Sequence, residues 1–359
     1  MDSRERIHRL LDLQEADRVG FVDFPWGTTI DRWEEQGLPR GVFIQEYFNM
    51  DIYGIGVDVS PKYDEITCSQ SENWVIVRDR FGVKEKRWRG VDGVPLPIEP
   101  AFRNLEEFEE RIEPLLDPES PIRISSTKYP FKGEIEDLIT RFQEKFFVFA
   151  SIFGPFEYCR HVCGGTRLLL RFMMTDKRLT RKMFKCLGRF LGAISSALAD
   201  AGADCVWSWD DLGFRDGPFF SPSLYEKYLL PCHAQINRPF RKRGLPCVLH
   251  SDGNVNVLVP QLIRAGFTVL QPMEAKAGMD VVQLKERYGD RLAFIGNIDA
   301  RTICTNNIEL IKEEVLKKMG AAASGGGYVL CSDHSIPPDV TLHTFKAFSE
   351  MARKYGRYV

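Results

Sequence analysis

Short apolar runs alternate with amphipathic helical patterns through the second half of the chain. The runs are rich in β-branched and aromatic residues, and the helical segment after each one ends at or near a glycine. They occupy residues 146–153, 204–211, 246–253, 267–274, 291–299 and 327–334. Short buried strands that alternate with helices predict βαβ units and a parallel sheet.

A further run, RVGFVDF at residues 18–24, adds a strand near the start of the chain. With it, the alternation suits a closed (β/α)8 barrel, the TIM barrel of the α/β class, better than an open doubly wound sheet. The first run is not followed by the GxGxxG pattern of dinucleotide-binding folds, which agrees with this choice. We therefore predict a single barrel domain over residues 1–359.

Residues 50–145 depart from this rhythm. YGIGVDVS (53–60) and NWVIVRDRFGVKEKRWRG (73–90) alternate apolar and polar positions around a glycine-centred turn, which is typical of an antiparallel hairpin or small sheet. Residues 101–120 then predict a helix ended by prolines. We expect residues 50–145 to be a small antiparallel β insertion with a helix that covers one mouth of the barrel.

Composition narrows the classes of protein. The 359 residues are 44% hydrophobic and 27% charged with a formal net charge of −2, so the chain predicts a globular protein without nucleic acid as a partner. Nine dispersed cysteines without CxxC spacing indicate free thiols in a reducing cytoplasm. The sequence has neither a signal-peptide pattern at its start nor the run of roughly 20 apolar residues that spans a membrane.

Polar residues end five of the predicted strands in succession. In a (β/α)8 barrel, functional groups come from the C-terminal ends of the strands and from the loops that follow. These ends are rich in His, Asp, Glu and Cys: Trp209-Asp210-Asp211, His250-Ser251-Asp252, Gln271-Pro272-Met273-Glu274, Asn297-Ile298-Asp299 and Cys331-Ser332-Asp333-His334.

A zinc site is one use of this ring of side chains. The imidazole of His250, a carboxylate from Glu274 or Asp252, and either Cys331 or His334 would supply three ligands. The fourth position would stay open for substrate, as catalytic zinc requires. The ligands come from different strands, so their sequence spacing carries no fingerprint.

Metal-free proton chemistry is the other use, with Asp210, Asp211 or His250 as general acid and base. A structural interpretation also exists, because aspartates before a helix cap its free amides and a cysteine that ends a buried strand is commonly part of the core. Substrate-binding candidates are a strand-end amide and aromatic residues that would wall a pocket for a flat ligand: Phe24, Trp26, Trp207 and Asn297.

Four segments together resemble the uroporphyrinogen decarboxylase superfamily, a (β/α)8-barrel group that also contains cobalamin-dependent methyltransferases. They are RERIHRLLDLQEADRVGF, DDLGFRDGPFFSPSLYEKYLLPCHAQI, the segment from HSDGNVNVL to FIGNID, and GGGYVLCSDHSIPPDVTLHTF. The resemblance covers the first forty residues and most of the chain beyond position 150. By analogy with the superfamily it also implies a homodimer.

One departure from the decarboxylases is informative. Those enzymes carry an arginine-rich motif near the N-terminus, similar to PVWxMRQAGR, whose arginines hold the acidic side chains of the tetrapyrrole. The corresponding residues 19–27, VGFVDFPWG, contain no arginine. Because a substrate with eight carboxylates needs a cationic cradle, porphyrinogen decarboxylation is disfavoured.

The methyltransferase branch resembles the chain better. Its members bind zinc through a His-x-Cys pair after the fifth strand and a further Cys near the eighth. The matching positions here are His250-Ser251-Asp252 and Cys331, so Asp252 replaces the first Cys. An oxygen-rich zinc site suits an ether or hydroxyl oxygen better than a thiol.

The resemblance therefore implies a zinc-dependent methyltransferase. It would move a methyl group from a small donor, such as a methoxylated aromatic, to a corrinoid (cobalamin) on a partner protein. The sequence contains no DxHxxG motif of a corrinoid-binding module. Two alternatives stay open: a metal-free decarboxylase-like lyase, and a non-catalytic barrel that binds a tetrapyrrole or corrinoid.

Overall fold

The structure is a computed structural model that describes residues 1–91, 93–120, 123–124 and 134–358. Its strands, in chain order, are β1 (Gly20–Phe21), β2 (Ile52–Asp58), β3 (Ile66–Gln70), β4 (Trp74–Arg78), β5 (Lys84–Trp88), β6 (Leu96–Glu99), β7 (Arg123–Ile124), β8 (Phe147–Phe153), β9 (Cys205–Trp209), β10 (Gly213–Phe214), β11 (Gly217–Pro218), β12 (Cys247–Ser251), β13 (Val269–Pro272), β14 (Ala293–Ile295) and β15 (Tyr328–Leu330).

Helices alternate with the main strands. They are α1 (Ser3–Leu11), α2 (Gly27–Glu35), α3 (Ile44–Tyr47), α4 (Leu105–Arg111), α5 (Ile135–Gln143), α6 (Pro155–Val162), α7 (Thr166–Thr175), α8 (Lys177–Asp200), α9 (Pro222–Leu224), α10 (Leu230–Arg241), α11 (Val259–Arg264), α12 (Val281–Tyr288), α13 (Ala300–Cys304), α14 (Ile308–Ala322) and α15 (Leu342–Tyr355). A π-helix at Tyr225–Leu229 leads into α10, and short 3-10 turns lie at Glu113–Leu115, Asn256–Leu258 and Ala275–Ala277.

Eight parallel strands form the predicted barrel. Hydrogen-bonded neighbours follow the order β1-β15-β14-β13-β12-β9-β8-β2, and every one of these pairs is parallel. The ring closes between its two end strands, because the Asp51 amide donates to the Phe21 carbonyl oxygen at 2.8 Å. The (β/α)8 fold is therefore confirmed.

Side chains from alternate strand positions fill the barrel interior. Cys205 and Trp207 on β9 and Val248 on β12 belong to one apolar cluster, which α1 covers from the N-terminal end through Ile7 and Leu10. Residues between these positions face the surrounding helices and belong to a second cluster. This alternation decides which polar residue at each strand end faces the barrel axis.

The first part of the predicted insert belongs to the barrel instead. Ile52–Asp58 pairs in parallel with Phe147–Phe153, and its burial on both faces is that of a barrel strand. Gly54 makes this possible, since a Cβ there would lie 2.2 Å from the Phe149 ring. Apolar residues alternate with glycines in this strand. Its sequence therefore has the pattern of a half-exposed strand, although both of its faces are buried. Similarly, α5 is the barrel helix that precedes β8.

The rest of the insert is the expected antiparallel sheet, with strand order β3-β4-β5-β6. It lies on the rim beside the second and third barrel strands, where the Phe81 ring stacks on Phe153 with centroids 5.7 Å apart and Arg80 pairs with Asp58 at 2.9 Å. Residues 92, 121–122 and 125–133 of the predicted insert lie outside the described residues. Within the described part of the chain, no helix combines the length and apolarity needed to cross a membrane.

Candidate metal centre at the mouth of the barrel

His250 lies near the end of β12 on the same face as Val248, so its ring points into the mouth of the barrel. Its Nδ1 donates to Oε1 of Gln271 on β13 at 2.5 Å. A histidine that gives one ring N–H to a neighbouring oxygen keeps the other nitrogen free as an acceptor or a metal ligand. Nε2 of His250 is therefore the nitrogen available to the cavity.

Two carboxylates face that nitrogen. Oδ1 of Asp211 lies 3.6 Å and Oδ1 of Asp252 lies 3.8 Å from His250 Nε2. One ligand atom from each of the three residues lies within 4.8 Å of the others. We call this group the His250 cluster. Its three atoms are too far apart for direct hydrogen bonds and close enough to share one cation.

Asp252 is the least satisfied member of the His250 cluster. Its Oδ1 is buried and has no hydrogen-bond partner. Burial raises the pKa of Asp252; the charges of Asp211 and Glu274 act in the same direction, while His250 and His334 oppose them. An orphaned buried carboxylate oxygen is costly, and a bound cation would remove that cost.

A small cavity of about 90 Å³ lies over this cluster. His250 and Asp252 line it together with Phe24, Trp209, Cys331 and His334. The Trp209 ring lies 4.1 Å from the His250 ring and 6.1 Å from the Phe24 ring, centroid to centroid. One side of the cavity is thus aromatic and the other carries nitrogen and oxygen donors.

Cys331 and His334 line this cavity without joining the His250 cluster. Burial raises the pKa of the Cys331 thiol well above its usual value, which favours the neutral form in the apoprotein. His334 Nε2 lies 3.7 Å from Oδ2 of Asp252, at the more exposed side. Neither belongs to the group of ligand atoms within 4.8 Å, which includes Asp211 instead, and the assignment of Cys331 or His334 as third ligand stays a prediction.

Glu274 was predicted as a metal ligand, but its side chain fastens two loops. It accepts the Gly253 amide at 2.6 Å and pairs with Lys276 at 2.9 Å. Its side chain lines a larger neighbouring cavity, which it shares with Asp252. Glu274 therefore lies close to the His250 cluster without belonging to it, and its role as a metal ligand stays a prediction.

Asp210 faces the helices and not the cavity. It accepts the Glu157 amide of α6 at 2.6 Å and contacts Nε2 of His233 at 2.7 Å, while Nδ1 of His233 contacts the Tyr225 hydroxyl at 2.8 Å. The side chains of Asp210 and His233 are fully buried, and burial raises the pKa of Asp210. Gly154 leaves room for this carboxylate, since a Cβ there would lie 2.3 Å from Asp210. These contacts anchor the end of β9 to α6 and α10, and a role of Asp210 as general acid or base stays a prediction.

Three predicted substrate-binding residues have different surroundings. Asn297 is buried, donates to the carbonyl oxygens of Met273 and Met279, and accepts the Val281 amide, so its side chain holds a loop. Trp207 is fully buried below the cavity. Trp26 lies at the rim, 6.3 Å from the His334 ring. Of the four candidates, Phe24 is the one that lines the cavity.

Three further residues at or beside this site had no predicted role: Trp209, Gln271 and Asp23. Trp209 walls the cavity and Gln271 orients His250. Asp23, at the end of the first barrel strand, accepts the Ser332 amide and hydroxyl, and burial raises its pKa to about 7. Side chains two positions apart on a strand point to the same face. Trp209 could therefore have been predicted here from its place between Trp207 and Asp211.

The residues present fit zinc. The His250 cluster offers one imidazole nitrogen with its opposite N–H engaged and two carboxylate oxygens, one of them unpartnered. Three protein ligands with room for a fourth on the cavity side form the usual catalytic zinc site. The hydrogen bond from His250 to Gln271 is the outer-sphere contact that such sites use to orient a histidine.

The sequence profile of the family described as uroporphyrinogen decarboxylase (URO-D) matches residues 90–355. The chain belongs to the uroporphyrinogen decarboxylase family. The predicted family is therefore confirmed, and the match includes every strand end that contributes to the His250 cluster.

Relatives within the family fall into two groups. A uroporphyrinogen decarboxylase from Coxiella burnetii is 26% identical over 170 residues, which are 46% of this chain and 44% of that protein. A methylcobamide:CoM methyltransferase, MtbA, from Methanosarcina mazei is 22% identical over 360 residues and covers 98% of both chains. The alignment thus spans less than half of the decarboxylase but nearly all of the methyltransferase, which agrees with the predicted branch.

A solved structure has the same fold. The structure described as a methyltransferase from Methanosarcina mazei superposes with a TM-score of 0.66 at 16% identity and covers 99% of each chain. At this identity the likeness is one of fold. It supports the (β/α)8 barrel fold.

Proposed function

We propose that this protein is a zinc-dependent, corrinoid-linked methyltransferase. Asp211, His250 and Asp252 hold the metal, and the methyl group passes from a small methoxylated donor to a corrinoid on a partner protein. The observation that carries the proposal is the buried, unpartnered Oδ1 of Asp252 beside the free Nε2 of His250. The ligand set differs from the predicted one in the use of Asp211 in place of Glu274, Cys331 or His334.

The choice of methyl transfer over decarboxylation is supported by coverage and by charge. The methyltransferase relative aligns over the full chain, whereas the decarboxylase relative aligns over less than half. Among the described residues that line the small cavity, none is an arginine or a lysine. A neighbouring larger cavity adds three cations, Arg215, Lys276 and Arg301, which are too few to neutralise the eight carboxylates of a tetrapyrrole.

The donor set favours a methyl group attached to oxygen. One nitrogen and two carboxylate oxygens form a harder site than the thiolate-rich sites that hold thiol substrates. Zinc bound at these residues would supply a Lewis acid that polarises the ether oxygen of the donor. Phe24 and Trp209 offer ring faces for an aromatic donor on the opposite side of the cavity.

The chemical step needs one proton. The C–O bond of the donor breaks, the methyl group joins the electron pair of the reduced cobalt, and the oxygen keeps the bonding pair. We assign delivery of the proton to His334, which lies at the exposed side of the cavity, 3.7 Å from Asp252 and outside the His250 cluster.

The direct test is methyl transfer to free cob(I)alamin from a panel of methoxylated benzenes, followed by the absorbance of methylcobalamin. We expect methylcobalamin and the matching phenol, loss of both after thorough chelation, and recovery on addition of zinc. His334→Asn should retain zinc and lose most of the rate. Absence of methylcobalamin for every donor, together with decarboxylation of uroporphyrinogen by chelated protein, would overturn the proposal in favour of the lyase.

The partner and the assembly follow from the same proposal. The described residues include no corrinoid-binding module, so the corrinoid would arrive on a second protein that docks at the open rim. The homodimer implied by the family resemblance stays a prediction.

A further inference from the structure

A second and larger cavity, of about 510 Å³, adjoins the metal centre. Asp252 lines both this cavity and the small one over His250, so the two spaces meet at a residue of the His250 cluster. Its remaining lining includes Phe214, Arg215, Glu274, Lys276 and Arg301. We call it the basic cavity.

The cations of the basic cavity come from three different strand-to-helix loops. Arg215 lies in the hairpin turn between β10 and β11, Lys276 lies in the turn after β13, and Arg301 lies at the start of α13 after β14. Loops of this kind build the substrate sites of (β/α)8 barrels. Their convergence on one cavity beside Asp252 places three positive charges near one potential ligand.

Two of these cations have acidic partners: Lys276 pairs with Glu274, and Arg301 donates from Nε and one terminal nitrogen to Asp299. Glu274 and Asp299 are 11% and 15% exposed at the side chain, while Lys276 and Arg301 are 47% and 68% exposed. Each acid also accepts a backbone amide, from Gly253 and Arg301 respectively.

Arg215 has the weakest acidic partner of the three cations. It is 79% exposed, and its nearest acid, Asp216, is 90% exposed at 4.0 Å, which is a weak pair in water. A guanidinium group has five N–H donors, so its fork is free to bind a carboxylate of a ligand.

We propose that the basic cavity binds the carboxylate end of the methyl donor. This inference rests on the proposed function and names the class of its substrate: a methoxylated aromatic acid whose ether end reaches the His250 cluster. The guanidinium fork of Arg215 binds the carboxylate, and Arg301, whose fork is held by Asp299, adds its positive charge. Phe214, which is 65% exposed on the hairpin, covers the carboxylate end of the ring, while the ether end lies toward Phe24 and Trp209 in the small cavity.

Size and charge both suit one small aromatic acid. A cavity of about 510 Å³ lies in the range that holds a single small ligand. Its lining side chains carry three cationic and two anionic groups, and Arg215 is the cation whose nearest acid is distant and exposed, so it is the one available to a carboxylate. The cations lie away from Phe24 and Trp209, which line the small cavity over the metal centre.

Binding of 3-methoxybenzoate and of its neutral isostere 3-methoxybenzamide to zinc-loaded protein tests the inference by calorimetry, without turnover. We expect the acid to bind about tenfold more tightly than the amide. The double variant Arg215→Gln/Arg301→Gln should remove this preference and retain its zinc. Arg40→Gln is the matched control, because Arg40 is 92% exposed and does not line the cavity.

Several results would overturn the inference while leaving the proposed function intact. Equal affinity for acid and amide, or no binding of either, would exclude an aromatic carboxylate. A double variant that keeps the preference would exclude these arginines. A double variant that binds both probes as the wild type does, but has a higher KM for the corrinoid protein, would assign the cations to partner docking. Loss of zinc or of all methyl transfer would instead count against the proposed function.

Discussion

Two groups of one histidine and two carboxylates occur in the described part of the chain, and their surroundings differ. In the group at the rim, which we call the His161 cluster, Oδ1 of Asp79 accepts the amides of Phe81 and Val83, and Oδ2 contacts His161 at 2.5 Å. Glu85 pairs with Arg87 at 2.7 Å. In the His250 cluster, no side chain of the three bonds directly to another, and Asp252 keeps a bare oxygen.

The difference shows that residue types alone do not define a metal centre. Both clusters hold the same ligand chemistry within 4.8 Å. The His161 cluster satisfies its own polar atoms and fastens the inserted sheet to α6. In the His250 cluster, Asp211 accepts the Asp252 amide at 3.0 Å, but Oδ1 of Asp252 has no partner, which is the state of a site prepared for a ligand.

The largest expected effect separates these clusters directly. His250→Ala should lower zinc affinity by more than about a hundredfold, because the metal loses its one nitrogen ligand. His161→Ala should leave zinc affinity unchanged and lower only the melting temperature. Equilibrium dialysis with metal analysis measures the first quantity. Equal loss of zinc in both variants would remove the distinction.

A second comparison concerns the adjacent Asp210 and Asp211. Asp210→Asn should lower the free energy of unfolding by about 3 kcal/mol, because it breaks a buried pair with His233 and weakens the anchor of α6. Asp211→Asn should cost less than about 1 kcal/mol, since that side chain is partly exposed, but it should weaken zinc binding. Urea denaturation of apoprotein and zinc titration measure the two effects. A larger loss of stability in Asp211→Asn, together with weaker zinc binding in Asp210→Asn, would show that the two side chains face the opposite way.

Gln271 gives a smaller and more specific prediction. Gln271→Leu removes the acceptor that fixes His250 Nδ1, and we expect zinc affinity to fall by about 10- to 100-fold. Gln283→Leu, on the outer helix α12, is the control. An unchanged affinity in Gln271→Leu would mean that the ring of His250 is oriented by other contacts.

The smallest expected effect concerns pH. The pKa of Asp23 is raised to about 7 by burial, above its unfolded value, so the folded state holds this proton more tightly than the unfolded state. Its contribution to stability is therefore present at low pH and declines as pH rises from about 4 to about 7. In Asp23→Asn that decline should be absent.

The unfolding free energy of Asp23→Asn relative to wild type should thus increase by about 1 kcal/mol or more between pH 5 and pH 8. Denaturation curves at a series of pH values provide the measurement. A difference that stays constant with pH would show that Asp23 ionises normally in the folded protein.

Periodicity explains how far the sequence could predict the site. The alternation that places Val248 inside the barrel also places His250 and Asp252 there, so these two ligands follow from the strand pattern. On β9, the same alternation places Trp209 and Asp211 on the barrel interior and Asp210 on the face toward the helices. The prediction treated the two aspartates as equivalent because it used strand ends and not strand faces.

Loop residues could not be assigned by that rule. Gly296 and Asn297 have positive φ angles of 128° and 72°, which ends the alternation and turns the amide of Asn297 toward backbone groups. Glu274 similarly turns to meet the Gly253 amide and Lys276. Their partners come from other loops, so no local pattern in the sequence records them.

X-ray absorption at the zinc edge of the loaded protein tests the central claim, that Asp211, His250 and Asp252 hold the metal. If these residues hold zinc, the spectrum should show nitrogen and oxygen neighbours at about 2.0–2.1 Å and the scattering of an imidazole ring. Cys331→Ala should give the same spectrum. A sulfur scatterer at about 2.3 Å that disappears in Cys331→Ala would contradict it. It would restore the thiolate ligand expected from the family resemblance.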